Sequence, residues 1–127
     1  MILVFGGAYQ GKLDYAVKRF GLAEGDIYRC RDDDAAAPGS KRAIYELDKW
    51  ILALIEEGID SGDAIRNLIA ENGSAVIICN DISCGVVPED PMSRKWREAV
   101  GRALAEIAGA SDEVVRLFCG IASKLKE

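Results

Sequence analysis

The residues best suited to chemistry are Gly6, Gly7, Ala8, Tyr9, Gln10, Gly11, Lys12 and Leu13, directly after the apolar run Ile2-Leu3-Val4-Phe5. Glycines at 6 and 11 with lysine at 12 reproduce the phosphate-binding pattern G-x-x-x-x-G-K-[ST] up to its last position. The glycines let the backbone aim several N–H groups at one point, and a following helix adds the positive end of its dipole. Lys12 supplies a full charge for the β- and γ-phosphates, and is expected at the surface of the loop rather than packed. Leu13 breaks the pattern, because a hydroxyl is wanted there to hold Mg²⁺ and leucine offers no ligand. The pattern points to an ATP- or GTP-binding loop, with Lys12 as the catalytic cation if phosphoryl transfer follows. The bland alternative is a tight strand-to-helix turn with its lysine in solvent.

The elements that must position this loop follow from periodicity. Ile2–Phe5 reads as a strand, and Lys12 to Phe20 as a helix carrying Tyr15, Ala16 and Phe20, stopped by Gly21. Asp26 to Arg31 and Lys41 to Leu47 are further strand candidates. Between them, Asp32-Asp33-Asp34 with Pro38-Gly39 reads as a solvated loop rather than a metal site. Trp50, Ile51, Leu54 and Ile55 share one helical face, with Gly58 as a stop. Asp60 reads as the N-cap of a helix burying Ala64, Ile65, Leu68 and Ile69, ended by Asn72-Gly73. Ala75 to Cys79 is continuously apolar, as a strand covered on both faces should be. Asp90-Pro91 opens a long helix with Trp96, Val100, Leu104 and Ile107 as its buried stripe. Trp50 and Trp96 read as core or interface anchors, and Arg94 and Arg97 as solvated helix face. Val114 to Cys119 is a last strand before a polar tail, Ser123 to Glu127. Alternating strands and helices predict an α/β fold. The expected form is a three-layer sandwich like that of phosphate-loop nucleoside triphosphatases, with a mostly parallel sheet of about five strands and helices on both faces. The 127 residues suit one domain, 1–127, with no repeat or linker.

Composition narrows the function. The formal net charge of −5 argues against a nucleic-acid surface. The chain has no histidine, which removes histidine bases, metal ligands and covalent histidine intermediates. Cys30, Cys79, Cys84 and Cys119 form no C-x-x-C pair and are expected as reduced, buried thiols. No signal peptide is visible, and no apolar run approaches the roughly 20 residues that span a bilayer. The expectation is a cytoplasmic protein with no membrane partner.

A second stretch is more specific than the loop: Val76-Ile77-Ile78-Cys79-Asn80-Asp81-Ile82-Ser83-Cys84-Gly85-Val86-Val87-Pro88-Glu89. It resembles the V-x-V-S-N-E-V-G-x-G-I-V-P-E of the bifunctional adenosylcobinamide kinase/adenosylcobinamide-phosphate guanylyltransferase family of cobalamin biosynthesis. Ile2 to Ala8 with Gly11-Lys12 is similar to that family's opening. Arg94 to Arg102, Ser111 to Val114 and Gly120 to Lys126 continue the likeness.

The middle of the chain departs from the family. The resemblance implies a longer segment between the second and third strands, carrying the histidine that accepts GMP. Here it shrinks to the loop around Asp32 to Ser40, so guanylyl transfer through histidine is excluded. Aligned on Trp50, Tyr45 takes the family's metal-binding aspartate position, with Glu46 and Asp48 nearby. Asp81 stands where the family has glutamate.

Two functions follow. One is a kinase-type phosphotransferase, with Lys12 and Asp81 catalytic, Mg²⁺ held by Asp81 with Glu46 or Asp48, and by resemblance the hydroxyl of a corrinoid (cobinamide) as acceptor. The other is a catalytically degenerate nucleotide-binding, regulatory or assembly protein without turnover. The resemblance also implies a homo-oligomer.

Overall fold

The computed structural model describes residues 1–7, 10–82 and 90–127. In chain order it contains β1 (Ile2–Gly6), α1 (Lys12–Phe20), a 3-10 turn (Glu24–Asp26), β2 (Ile27–Arg29), β3 (Ala43–Tyr45) and α2 (Leu47–Glu56). There follow α3 (Ser61–Glu71), β4 (Val76–Asn80), α4 (Pro91–Ala110), β5 (Glu113–Phe118) and β6 (Ile121–Lys126). The strands form one sheet in the order β2-β3-β4-β1-β5-β6. All neighbours pair in parallel except β5 and β6, which are antiparallel. The fold is thus the expected α/β sandwich of the phosphate-loop type.

Several boundaries arise from identifiable residues. Gly11 and Gly21 flank α1, both left-handed, with φ of 85° and 61°. Asp60 caps α3 by accepting from the Asp63 N–H, and Asp90 caps α4 by accepting from the Ser93 N–H, with Pro91 at the first helical position. One layer packs Leu3, Ile44, Ile77, Cys79 and Val114 of the sheet under Trp50, Ile51, Leu54, Ile65, Leu68, Val100 and Ile107 of α2, α3 and α4. On the other face α1 lies over Val4, Ala43, Val76, Ile78, Val115 and Leu117. Helix α1 leaves β1 on one face while α4 leaves β4 on the other. These adjacent strands therefore open a crevice at their C-terminal ends, where open α/β sheets bind ligands.

The structure corrects the expectations at four places. The sheet has six strands, because residues 121–126 pair with β5 instead of trailing as a polar tail. A tight turn of Cys119 and Gly120, with φ of 50° and 75°, makes that hairpin. Every residue of β6 is exposed, so it carries no buried-face alternation to read. The third strand is only Ala43–Tyr45, since Glu46 turns left-handed (φ 57°) and Leu47 starts α2. In α4 the fully buried positions are Ala99, Val100, Ala103 and Ile107, with Trp96 and Leu104 only half-buried. Cys30 and Cys79 are buried thiols, but Cys119 is exposed on the hairpin turn; Cys84 lies outside the described residues. Among the described residues, no helix is long and apolar enough to cross a membrane.

Candidate functional site

The loop is built by what its glycines permit. A Cβ on Gly6 would stand 2.4 Å from the Leu117 carbonyl oxygen of β5, so only glycine lets β1 end flush against its neighbour. Gly11 then takes a left-handed turn that begins α1. Behind the loop, the Asp81 N–H donates to the Gly6 carbonyl at 2.8 Å, which ties the segment after β4 to the end of β1. The two stretches singled out in the sequence therefore meet at the ends of the two central strands.

Lys12 is not at the surface. Only 5% of it is exposed, and its Nζ donates back to the Gly7 carbonyl at 2.6 Å. Burial lowers the ammonium's pKa, and the nearby Asp48 carboxylate, with Cys79 and Glu46, resists that shift. No carboxylate pairs with Lys12 directly among the ion pairs of the described residues. The ammonium thus lies on its own loop carbonyl at the start of α1, and helix N-termini favour anions.

A cavity of about 370 Å³ opens beside it, with Gly11, Lys12, Leu13, Asp14, Tyr45 and Glu46 among its lining residues. Two of the three carboxylates expected at a metal, Glu46 and Asp48, have contacts within the protein. Glu46 is on the cavity wall, but its Oε2 lies 3.0 Å from Lys49 Nζ. Asp48 is buried beneath, where its Oδ1 accepts from the Asn80 N–H at 3.1 Å and its Oδ2 from Asn80 Nδ2 at 3.3 Å. Desolvation raises the Asp48 pKa, against the pull of those two hydrogen bonds. Leu13 packs its side chain against the core under α1. Among the described residues, no group of three or more His, Cys, Asp or Glu converges as a metal site. Glu46 and Asp48 are thus each engaged by another residue of the protein.

Gln10 faces the hairpin rather than the cavity. Its Oε1 accepts from the Cys119 N–H, and its carbonyl accepts from the Gly120 N–H at 3.2 Å. Gly7 is exposed at the loop; Ala8 and Tyr9, and Ser83 to Glu89 of the second stretch, lie outside the described residues. Sequence reasoning missed Lys49, the partner of Glu46, and the β5–β6 turn that clasps the loop. The i,i+3 spacing of Glu46 and Lys49 is a readable ion-pair signal, but it was obscured by reading 46 as strand.

A central parallel strand running through a glycine turn into a helix that starts on a buried lysine defines the class: an α/β protein of the phosphate-loop nucleotide-binding type. The family model described as cobinamide kinase / cobinamide phosphate guanyltransferase matches residues 48–125, more than half of the chain. The chain belongs to that family. It is similar to the bifunctional adenosylcobalamin biosynthesis protein CobU of Salmonella typhimurium, at 35% identity over 83 residues, 62% of this chain and 45% of the relative. The protein of the same name from Escherichia coli is 31% identical over 83 residues, with the same coverage. The chain thus spans about half the length of the curated relatives it matches. The family match starts after the loop, so the loop's own reading rests on its pattern and its geometry.

Proposed function

We propose that this chain binds a nucleoside triphosphate, ATP or GTP, by its phosphates at the Gly6–Leu13 loop, as a nucleotide-binding protein related to cobalamin biosynthesis. The observation that carries this is Lys12: a buried ammonium that, among the described residues, donates to the Gly7 carbonyl and pairs with no carboxylate, beside an open cavity and at the start of α1. In this reading Gly6, Gly7, Gln10, Gly11 and Lys12 contribute to the cradle; Ala8 and Tyr9 of the same motif lie outside the described residues. Leu13, the Glu46–Lys49 pair and the Asp48–Asn80 pair weaken the support for Mg²⁺, so binding is expected to be indifferent to the metal. The chain contains no histidine to carry a guanylyl group. Calorimetric titration with ATP and GTP, each with and without Mg²⁺, tests the reading. Heat of binding that is the same with and without metal supports it; no binding of either nucleotide refutes it. Leu13→Ser, which restores the hydroxyl, should introduce a metal response if Glu46 or Asp81 can reach the ion.

A second reading, phosphoryl transfer to the hydroxyl of a corrinoid such as cobinamide, is favoured by Glu46 standing on the same cavity wall as Lys12. There a carboxylate could orient an acceptor hydroxyl. Transfer of labelled γ-phosphate to cobinamide is the direct test. The homo-oligomer and the cytoplasmic location stand as proposals; exposed Phe118, Ile121 and Leu125 on β5 and β6 bear on the first.

A further inference from the structure

We infer that Lys49, on the wall of the Lys12-bearing cavity, is a second phosphate contact of the nucleotide, held in place by Glu46. This rests on the phosphate-binding reading above and adds to that site a residue from outside the glycine loop.

Among the described residues, two cations line the cavity of about 370 Å³: Lys12 at the start of α1 and Lys49 in the first turn of α2. The local backbone sets Lys49 there. Glu46 takes a left-handed φ of 57°, uncommon for a residue with a side chain, and α2 starts at the next residue. The Lys49 N–H donates to the Glu46 carbonyl at 3.0 Å, one turn away, and both residues line the cavity. From Leu47 to Ile55 the helix is apolar except at Asp48 and Lys49. Asp48 turns inward to Asn80, so Lys49 is the cation that α2 contributes to the cavity.

The two lysines are complementary. Lys12 is buried, and burial lowers its pKa. The Lys49 side chain is 43% exposed, and Glu46, chiefly by hydrogen bonding, raises its pKa, so it is fully charged at neutral pH. Its Nζ lies 3.0 Å from Glu46 Oε2. A lysine ammonium has three donors, and this pair uses at most one of them. The pair therefore stays closed when an anion enters: Glu46 fixes where the ammonium stands, and the other donors are left for the anion. Protein kinases, on an unrelated fold, present a glutamate-held lysine to phosphates in this manner. The other carboxylate of the lining, Asp14, has a side chain 78% exposed, where water weakens its repulsion of an anion. A polyphosphate carries charged groups in line, so ammoniums on two elements of one cavity match two of its phosphates.

The test is calorimetric titration of the full chain with ATP and with inorganic tripolyphosphate, with and without Mg²⁺. The variants are Lys49→Met, Glu46→Gln, the two combined, and Lys41→Met as a control. Lys41 lies before β3, at the opposite end of the strands from the loop, and its replacement removes the same charge. The double variant decides, because it removes one positive and one negative charge and keeps the net charge of the wild type. Both side chains are partly exposed and their replacements are good helix formers, so urea midpoints should stay near that of the wild type. The double variant should bind both ligands about tenfold more weakly than the wild type, as loss of a charge-assisted hydrogen bond would give. The factor should be the same for ATP and tripolyphosphate, which share only the phosphates. Glu46→Gln alone should bind at least as tightly as the wild type. A double variant that binds as the wild type does overturns the inference, because Lys49 would then only neutralise Glu46. An equal loss in Lys41→Met, or a loss confined to ATP, overturns it too, and each of these results leaves the phosphate loop standing. No binding of either ligand by the wild type takes down the phosphate loop and the role of Lys49 together.

Discussion

Gly6→Ala tests whether the loop's position depends on backbone contact between β1 and β5. The added Cβ would lie 2.4 Å from the Leu117 carbonyl oxygen and 3.3 Å from its carbon, both backbone atoms that no side-chain rotation can move aside. The φ of 156° adds a conformation that L side chains rarely adopt. To reach 3.4 Å, the lower edge of ordinary contact, the strands must part by about 1 Å. The ladder they share pairs Val4 with Val115 and Phe5 with Arg116, and Leu117 is 1% exposed beside it. Overpacking costs about 1–3 kcal/mol and each ladder hydrogen bond lost about 1 kcal/mol, which gives a total near 2–4 kcal/mol. For a chain of this size that is a fall in Tm of about 10 °C or more. Urea unfolding should show a lower midpoint at unchanged m-value. Gly73→Ala is the control, since nothing lies within 4 Å of its Cβ. A Gly6→Ala protein within about 0.5 kcal/mol of the wild type would refute the reasoning, because that is the range of an unconstrained surface change.

Lys12→Ala should weaken triphosphate binding at least about tenfold, a charge-assisted hydrogen bond being worth about 1.5–3 kcal/mol; unchanged affinity by calorimetry counts against the loop. Burial pushes the Cys30 thiol up to about 12 and raises Cys79 well above its usual value. At pH 8 both should resist a thiol reagent until the protein unfolds, while Cys119→Ser should remove a fast-reacting thiol. The sign follows: an unfolded thiol ionises near pH 9 and the buried one does not, so Cys30 makes stability fall as pH rises from about 9 to about 12. Arg19 holds the Glu113 carboxyl below its usual value. Its contribution is therefore present above about pH 4.5 and lost as pH falls through the depressed value. Glu113→Gln should cost up to about 1 kcal/mol at neutral pH, measured by urea unfolding, and should flatten that acid limb.

Helices α1, α3 and α4 were legible because their ends are written in local chemistry. Gly11 and Gly21 need only positive φ, and Asp60, Asp90 and Pro91 act within one turn of themselves. What stayed hidden depends on partners distant in sequence or on absent patterning. β6 has no buried face, so its pairing to β5 left no periodicity to detect. Lys12 was readable as a phosphate ligand, yet its burial depends on the packed ends of β1 and β4. Asp48 meets Asn80 across 32 positions, and no spacing rule connects a helix's first turn to the last residue of a strand.

The same contacts underlie the proposal that phosphate binding in this chain is independent of protein-held metal. Leu13 exchanges a ligand for contact with the α1 core, Glu46 leans on Lys49, and Asp48 holds the backbone and side chain of Asn80. Each of these groups has a structural contact within the protein. Gly6, Gly11 and Lys12 are treated differently. Gly6 is required by the approach of β5, Gly11 by a left-handed turn, and Lys12 rests on the neutral Gly7 carbonyl. A loop that was merely a relic turn would have no need to bury an ammonium, whose desolvation is costly unless a partner arrives. The buried ammonium of Lys12 is what argues for a ligand that brings negative charge.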